Sequence, residues 1–420
     1  MTIAAARDRI IRNPLLRRIG IRLRQFSRDL PRRIPIQKIS LLQRWSGRPV
    51  GRHLTVRDYL ALHPGRGWEK VVREGGSYER VKPESPGPPL PARFDPPQTV
   101  RWNEERVTYM EGCRYWGEYG GAVIAHDECL IGELSPDVWG VERHAIFNKL
   151  KLPRLRPLPG LTAIVSTPEA NTNYSHWLMD LMPRLSLLEC AGFGPEKVDR
   201  YLVNMGGRHY EREMLSLAGV PPEKIHPVSA ASHFSCERAV TTSIRREHWQ
   251  QVLPAWVPAY LRGIADANKP HTGSSRRLYL TRKTAAFRRV LNEDELVPVL
   301  KRHGFEIIDP GSLSVREQVG IFSNADVIVS PHSSGLTNLV FCRPGTTVLE
   351  IFPKDYFDVS FWTIATIAEC RYHAVVGERP GEVVPETVIE ARRQDIVLPK
   401  DMGILFEKWM SNVVSQVSAN

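Results

Sequence analysis

Four segments of this 420-residue chain hold side chains whose types and spacing suit proton transfer and the binding of an anion. In Ser330-Pro331-His332-Ser333-Ser334-Gly335-Leu336-Thr337-Asn338, a strand-like run at 327–329 gives way to small residues and then to a helix-like stretch. Such a turn offers free backbone N–H groups to an anion, and His332 adds a donor for a phosphate or sugar oxygen. A tight turn with a core histidine is the plainer alternative. Glu350 stands inside the apolar strand 347–351, where an acid is costly unless it is paired or binding something. It can accept both hydroxyls of a ribose, or it can close a structural salt bridge. Arg282, just after the strand 278–280, suits a diphosphate, which a guanidinium meets bidentately; the alternative is a solvated basic turn. Between Asn173 and Arg184, the residues His176, Asp180 and Arg184 fall at i, i+4 and i+8, on one face of a helix that Pro183 is expected to kink. His176 and Asp180 together can supply a general base, or form a surface pair with no chemical role.

These segments need a scaffold that gathers strand ends. From residue 278 onward, strands at 278–280, 305–308, 327–329 and 347–351 alternate with helices at 293–303, 314–323, 336–341 and 360–370. Asn292 is the expected cap of the first helix, and Ser314-Val315-Arg316-Glu317 fits a capping box for the second. Alternation at this spacing predicts a parallel, doubly wound sheet, whose ligands sit at the carboxyl ends of its strands. Upstream, strands at 163–165, 201–203 and 238–244 with helices at 174–190 and 211–218 continue the α/β pattern. Residues 100–148, rich in Gly, Tyr and Trp, read as a small β region, and the proline-rich run 83–97 as a linker or extended arm.

Composition bounds the reading. The net charge of +11 lies wholly in residues 1–50, which hold thirteen Lys or Arg against two acids; the remainder is neutral. A nucleic-acid partner is therefore not expected, because the folded body is not basic. In the leader, Ile11, Leu15, Ile19, Leu23, Phe26 and Leu30 recur every three or four residues after Asn13-Pro14. They form an apolar stripe beside an arginine face, which fits either a helix lying on an anionic membrane surface or one packed on the body. The six cysteines are scattered with no C-x-x-C pair, so neither a structural zinc nor a dithiol redox site is expected, and a reducing compartment fits best. No apolar stretch is long enough to span a membrane and no secretory signal is evident.

The chain lacks a G-x-x-x-x-G-K-[ST] loop, a G-x-G-x-x-G fingerprint and a G-x-S-x-G elbow. It also lacks a D-x-D triplet, the usual metal clamp on a donor diphosphate, which leaves that charge to arginines and helix N-termini.

Asn292-Glu293-Asp294-Glu295, Gly304-Phe305, Glu317-Gln318, Ala325-Asp326, Pro331-His332-x-x-Gly335-Leu336-Thr337-Asn338, Phe341, Pro344-Gly345-Thr346 and Glu350, in this order, resemble glycosyltransferase family 61. His176-Trp177-x-x-Asp180 matches that family's His-aromatic-x-x-Asp segment. The family includes plant xylosyl- and arabinosyltransferases of xylan, animal O-GlcNAc transferases and many bacterial members. The resemblance, over roughly residues 160–355, implies an α/β, GT-B-like architecture of two Rossmann-like lobes with doubly wound parallel sheets. It also implies an inverting transfer from a nucleotide-sugar such as a UDP-sugar, with no cofactor and no metal. On that basis Asp180 and His176 are the catalytic pair. Arg282, His332, Ser333, Ser334, Gly335, Thr337, Asn338 and Glu350 hold the donor, Glu350 at its ribose. One departure stands out: the family usually has His-Gly-Ala-Gly where this chain has His332-Ser333-Ser334-Gly335, and serine at 333 adopts a positive φ less readily than glycine.

The expected organisation is a basic amphipathic leader (1–50), a proline-rich linker or arm (51–99), an acceptor-side lobe that includes the β region (100–265), a donor-binding lobe (270–380) and a tail with a helix (381–420). The expected enzyme builds surface polysaccharide or a lipid-linked glycan in the cytoplasm, peripheral to the inner face of the membrane through residues 1–30. A pyruvyltransferase-like enzyme and a non-catalytic sugar-nucleotide-binding protein are the alternatives.

Overall fold

The computed structural model describes residues 45–95, 98–137, 143–244, 252–266 and 276–417. The leader up to residue 44, with its expected membrane-surface helix, lies outside the described residues. Sixteen strands are described. The first eleven are β1 (Gly51–His53), β2 (Gly67–Arg73), β3 (Gly76–Glu79), β4 (Thr99–Trp102), β5 (Glu105–Trp116), β6 (Ala122–Ile124), β7 (Cys129–Ile131), β8 (Arg156–Ile164), β9 (Arg200–Val203), β10 (Ile225–Pro227) and β11 (His233–Thr242). The last five are β12 (Arg276–Leu280), β13 (Phe305–Ile308), β14 (Ala325–Pro331), β15 (Thr347–Phe352) and β16 (Arg371–Val376).

The last five strands form an all-parallel sheet in the order β13-β12-β14-β15-β16. Because strand side chains alternate between faces, Leu278, Ile328 and Val348 enter one core while Tyr279, Val327, Val329 and Leu349 enter another. The first core takes α5 (Val315–Ser323) and α6 (Ser360–Ile367); the second takes α4 (Glu293–Arg302) and α7 (Met402–Val417). With helices on both faces, this sheet is doubly wound, as the strand–helix alternation predicts. The capping box at Ser314 is present, with Ser314 Oγ accepting from the Glu317 N–H. Asn292 departs from expectation: it makes no side-chain cap, and its amide instead brackets Leu398, accepting from the Leu398 N–H at 2.8 Å.

The upstream sheet has nine strands in the order β1-β7-β6-β5-β11-β8-β9-β10, with β2 sharing an edge of β5. Here expectation needs correcting. β11, β8, β9 and β10 run parallel to one another, as do β1 and β7 at the margin, but β5 is antiparallel to β11, β2 and β6, and β6 to β7. This sheet is therefore mixed rather than doubly wound and parallel, and the β region at 100–148 is continuous with it rather than separate. Residues 51–73, assigned to the linker by sequence, contribute β1, β2 and the intervening helix α1 (Val56–Leu62). The short, partly exposed strands at that margin have no long apolar run to mark them. The proline-rich segment itself is an arm lying on the downstream lobe. Glu84 bridges His373 beside β16, and Phe94 is fully buried against Phe352 and Trp362. Among the described residues no helix is long and apolar enough to cross a membrane.

Both sheets place a switch in winding direction at a common boundary. In the parallel sheet β12 lies between β13 and β14, and in the upstream sheet β8 lies between β9 and β11. The carboxyl ends of β8, β12 and β14 feed one cleft, where a ligand is expected in open α/β sheets.

Candidate active site

The cleft encloses about 590 Å³ and is lined from the upstream lobe by Glu169, Tyr174 and His176, and from the downstream lobe by Arg282, Arg288, His332, Ser334, Tyr356, Asp358 and Arg392. Of the residues predicted from sequence, His176, Arg282, His332 and Ser334 are brought together here.

His176 sits on a single helical turn, Tyr174–His176, capped by the Asn173 side chain. A π-helical turn, Trp177–Leu181, follows directly and continues into the α-helical stretch α2 (Met182–Cys190), with Pro183 in its first turn. Helical backbone thus runs unbroken from Tyr174 to Cys190, and Pro183 stands inside it, its missing N–H falling just after the π-turn. The His176–Asp180 pair survives across the π-turn, with Nδ1 at 2.6 Å from Asp180 Oδ2. Arg184 does not join them: it is buried, donating to the Ile164 carbonyl and to Thr241 Oγ1. Asp180 lies behind the imidazole rather than in the cleft. On the other side, His176 Nε2 lies 3.0 Å from Glu169 Oε2. Burial works to lower the His176 pKa, but the two carboxylates outweigh it and push it up to about 9. Near neutral pH the ring is an imidazolium donating from both nitrogens, so it cannot accept a proton while Glu169 is in place. Glu169 is held below the usual carboxylate range by its bond to His176.

His332 follows β14, and its backbone N–H bonds Ile351. Its Nδ1 is bonded to Glu350 Oε1, while the other Glu350 oxygen accepts from the Tyr372 hydroxyl. Glu350 is completely buried. It therefore does not meet a ribose; it is the carboxylate behind His332, as Asp180 is behind His176. Anchoring Nδ1 leaves Nε2 for the cleft.

The turn after His332 is built without strain. Ser333 has φ −155 and ψ 153, extended backbone that any residue adopts, and its Oγ accepts from the Gly335 N–H. The serine that replaces the family's usual glycine needs no positive φ. At Gly335 an added Cβ would stand 3.2 Å from Ser333 Oγ and 3.3 Å from Pro310, so a side chain there fits only if these neighbours give slightly. Thr337 and Asn338 are fully buried and do not reach the cleft. Asn338 ties the lobes together, its Oδ1 accepting from the Tyr174 hydroxyl at 2.8 Å and its Nδ2 donating to Gln318 Oε1 at 2.7 Å.

Arg282 leaves β12 through Thr281, whose hydroxyl bonds the buried Glu293. That bond explains why an acid stands at the start of α4. Among the described residues Arg282 hydrogen-bonds the Phe287 carbonyl and leaves its Nε buried without a hydrogen-bond partner, while Asp309 and Asp395 act on it at longer range. Arg288, missed by sequence reasoning as a cleft residue, bonds the His332 and Arg392 carbonyls. Among the described residues neither arginine forms an ion pair. Burial and the charge of Arg282 push Arg288 down to about 10, and burial lowers Arg282 as well. Arg288 and Glu169 both hold positive φ, at 56° and 61°, a strain of order 1 kcal/mol each that functional sites tolerate. Asp358 was also missed. Burial works to raise it, but the His332 ring and the Ser360 hydroxyl and N–H outweigh that and keep it below the ordinary range. Tyr356, Asp358 and Arg392 lie beyond the residues that carry the family resemblance, in segments without a telling motif.

The cleft thus pairs two histidines, each backed by a buried carboxylate, with three guanidinium groups. Such a set can hold a polyanion and move a proton beside it. The sequence model of the family Glycosyltransferase 61 matches residues 174–349, which contain His176, Arg282, Arg288 and His332. An EGF domain-specific O-linked N-acetylglucosamine transferase of Drosophila melanogaster is 31% identical over 99 residues, 22% of this chain and 19% of that protein. A beta-1,2-xylosyltransferase of Arabidopsis thaliana is 35% identical over 63 residues, 15% of this chain and 12% of its own. The Mus musculus protein of the same description as the fly one is 31% identical over 127 residues, 28% of this chain and 22% of its own. The chain is thus matched to only about a fifth or less of each relative's length.

Proposed function

We propose that this chain, whose residues 174–349 match the glycosyltransferase 61 family, transfers a sugar from a UDP-sugar to a hydroxyl of a glycan or lipid-linked acceptor, inverting the anomeric carbon. One observation carries the proposal. Among the described residues Arg282 and Arg288, both largely buried, form no ion pair; Asp309, Asp395 and Asp358 act on them only at longer range, and both line one cleft with Arg392. A diphosphate would relieve their mutual repulsion and take charge-assisted bonds from each. The two lobes facing one cleft support a GT-B arrangement, with the donor on the parallel sheet.

In this reading the acceptor hydroxyl displaces Glu169 from Nε2 of His176. Glu169 takes the Nε2 proton with it as it leaves, and the neutral ring, its Nδ1–H held by Asp180, then takes the hydroxyl proton on Nε2. The acceptor oxygen bonds the anomeric carbon as the bond to the diphosphate breaks. The leaving charge falls on Arg282, Arg288, Arg392 and the free nitrogen of His332, so no metal is required in this scheme. Polysaccharide synthesis at the inner face of the membrane, through the basic leader, belongs to the same proposal.

Thermal-shift measurements with nucleotides and nucleotide sugars test it, since a ligand that binds only the native state raises the melting temperature. UDP is expected to stabilise the protein without added metal, and a UDP-sugar to be turned over by wild type but not by His176→Ala. Absence of any nucleotide effect, or an absolute need for magnesium or manganese, would overturn the scheme. Binding without turnover by wild type would instead support the non-catalytic alternative.

A further inference from the structure

Away from the cleft, on the upstream lobe, four side chains from separate stretches converge. His53 ends β1, His63 caps the end of α1, Asp127 lies in the turn between β6 and β7, and Cys129 begins β7. Nε2 of His53 and Nε2 of His63 lie 2.7 and 2.9 Å from the same oxygen, Asp127 Oδ2. The ligand atoms of His53, Asp127 and Cys129 all lie within 4.8 Å of one another. None of these residues lines the cleft.

We infer that His53, His63, Asp127 and Cys129 form a binding site for a zinc-class divalent cation. Two imidazole nitrogens, one carboxylate oxygen and one thiolate make up a four-member set of the donor types that zinc takes tetrahedrally. With metal–ligand bonds of about 2.0–2.3 Å, tetrahedral donors stand about 3.3–3.7 Å apart. The two nitrogens need to retreat from Asp127 Oδ2 by under about 1 Å; the thiol closes in by up to about 1 Å, and His63, outside the close group of His53, Asp127 and Cys129, turns in as the fourth ligand. The partly exposed His63 gives a path of entry. On binding, the Cys129 thiol and any imidazole proton facing the metal are released to solvent, and no electrons move.

The backbone prepares this convergence. The Ala125–Cys129 turn is closed by the Ala125 N–H to the Cys129 carbonyl at 2.8 Å, and Asp127 Oδ1 accepts from the Cys129 N–H at 3.0 Å. β1, only three residues long, pairs in parallel with β7, so Cys129 lies opposite Gly51, where an added Cβ would stand 3.2 Å from its sulfur. A metal here would pin the margin of the sheet: a short edge strand, the end of α1 and the β6–β7 turn. No C-x-x-C pair announces the site, because its ligands lie at 53, 63, 127 and 129 and meet only in the fold.

The test is metal analysis of the full chain, free of any affinity tag, after dialysis against metal-free buffer. It is followed by titration with zinc and with cobalt(II). About one zinc per chain is expected, with a higher melting temperature and an intense thiolate-to-cobalt charge-transfer band. Cys129→Ser is expected to lose that band, and both Cys129→Ser and His63→Ala to weaken zinc binding at least tenfold. His63→Ala serves as the variant least able to disturb folding, and circular dichroism of both variants checks that they fold. If the cluster is only a hydrogen-bonded tie, zinc leaves the melting temperature unchanged and cobalt gives no thiolate band. Either result overturns the inference, as does unaltered zinc affinity in a folded variant.

Discussion

His176 remains bonded to Asp180, four residues on and 2.6 Å away, although the segment between them is π-helical rather than α-helical. The π-turn is a local expansion of the kind that recurs at functional sites. It keeps this pair together while sending Arg184 into the core.

Transfer is expected to depend on pH in a direction set by His176. The imidazole accepts a proton only when neutral, and with both carboxylates in place its pKa is pushed up to about 9. Rates under donor-limited conditions should therefore rise with pH on their acid side. Glu169→Gln keeps the side chain's shape but removes one of the two charges that raise the pKa. It should move the acid limb of kcat/KM to lower pH. Asp180→Asn removes the other charge and also loosens the ring, so its limb should move the same way while kcat falls by about 100-fold or more. A limb that stays in place in both variants would mean that His176 is not the base.

The same group ties stability to pH. An ordinary histidine titrates near 6.5 and His176 near 9 in the fold, so the folded state binds the proton more tightly. That stability is fully present below about pH 6.5 and is lost as pH rises through about 9. For a shift of this size the loss is at most about 3 kcal/mol. Urea denaturation at several pH values should show wild type weakening across this window, and His176→Asn weakening distinctly less.

Arg392 offers the cleanest test of the anion seat. It is exposed on the helix Val388–Arg392, so its removal disturbs the fold little. Arg392→Gln should weaken UDP binding by about tenfold, on the scale of one charge-assisted bond near the surface. Arg282→Gln should cost more, about 100-fold, because the lost charge is buried. It should also leave the unliganded protein no less stable, since burial of an unpaired guanidinium is itself unfavourable. Isothermal titration and the melting temperature without ligand check the two halves of this prediction.

How far the sequence could be read follows from how locally each feature is encoded. The parallel sheet was legible because its strands are continuous apolar runs alternating with helix-length stretches, a pattern that needs no tertiary information. Ser314 and Glu317 are the clearest case, since a capping box is complete within four residues. The upstream sheet was less legible. β2 and β1 are stabilised by neighbours far along the chain, and nothing in residues 51–73 distinguishes an edge strand from an arm. At the site, residue type identified His176, Arg282 and His332, but depth was not legible. Asn338 stands in the same short motif as His332 and Ser334, yet the turn sends it into the core and them into the cleft, while Glu350, on β15, is buried behind His332. Arg288 and Asp358 carry no motif at all; only the fold brings them to the carboxyl ends of β12 and β15.

Glu350 brings structure and binding into one prediction. Its two oxygens are taken by His332 and Tyr372, and it is fully buried. Burial and the carboxylate hold the Tyr372 hydroxyl well above its ordinary pKa, so it remains a donor. Glu350→Ala would leave that hydroxyl and the His332 Nδ1 unpaired in the interior, costing about 2–4 kcal/mol of stability. Glu350→Gln keeps the shape and one acceptor oxygen, so it should cost less, but the charge that orients His332 is gone. UDP binding should then weaken by about tenfold through His332, although residue 350 never touches the nucleotide. The discriminating measurement combines urea denaturation without ligand with UDP titration, for both variants and for His332→Ala. If Glu350 acts through His332, adding Glu350→Gln to His332→Ala should cause little further loss of UDP affinity. A full additional loss would mean that the carboxylate meets the donor itself.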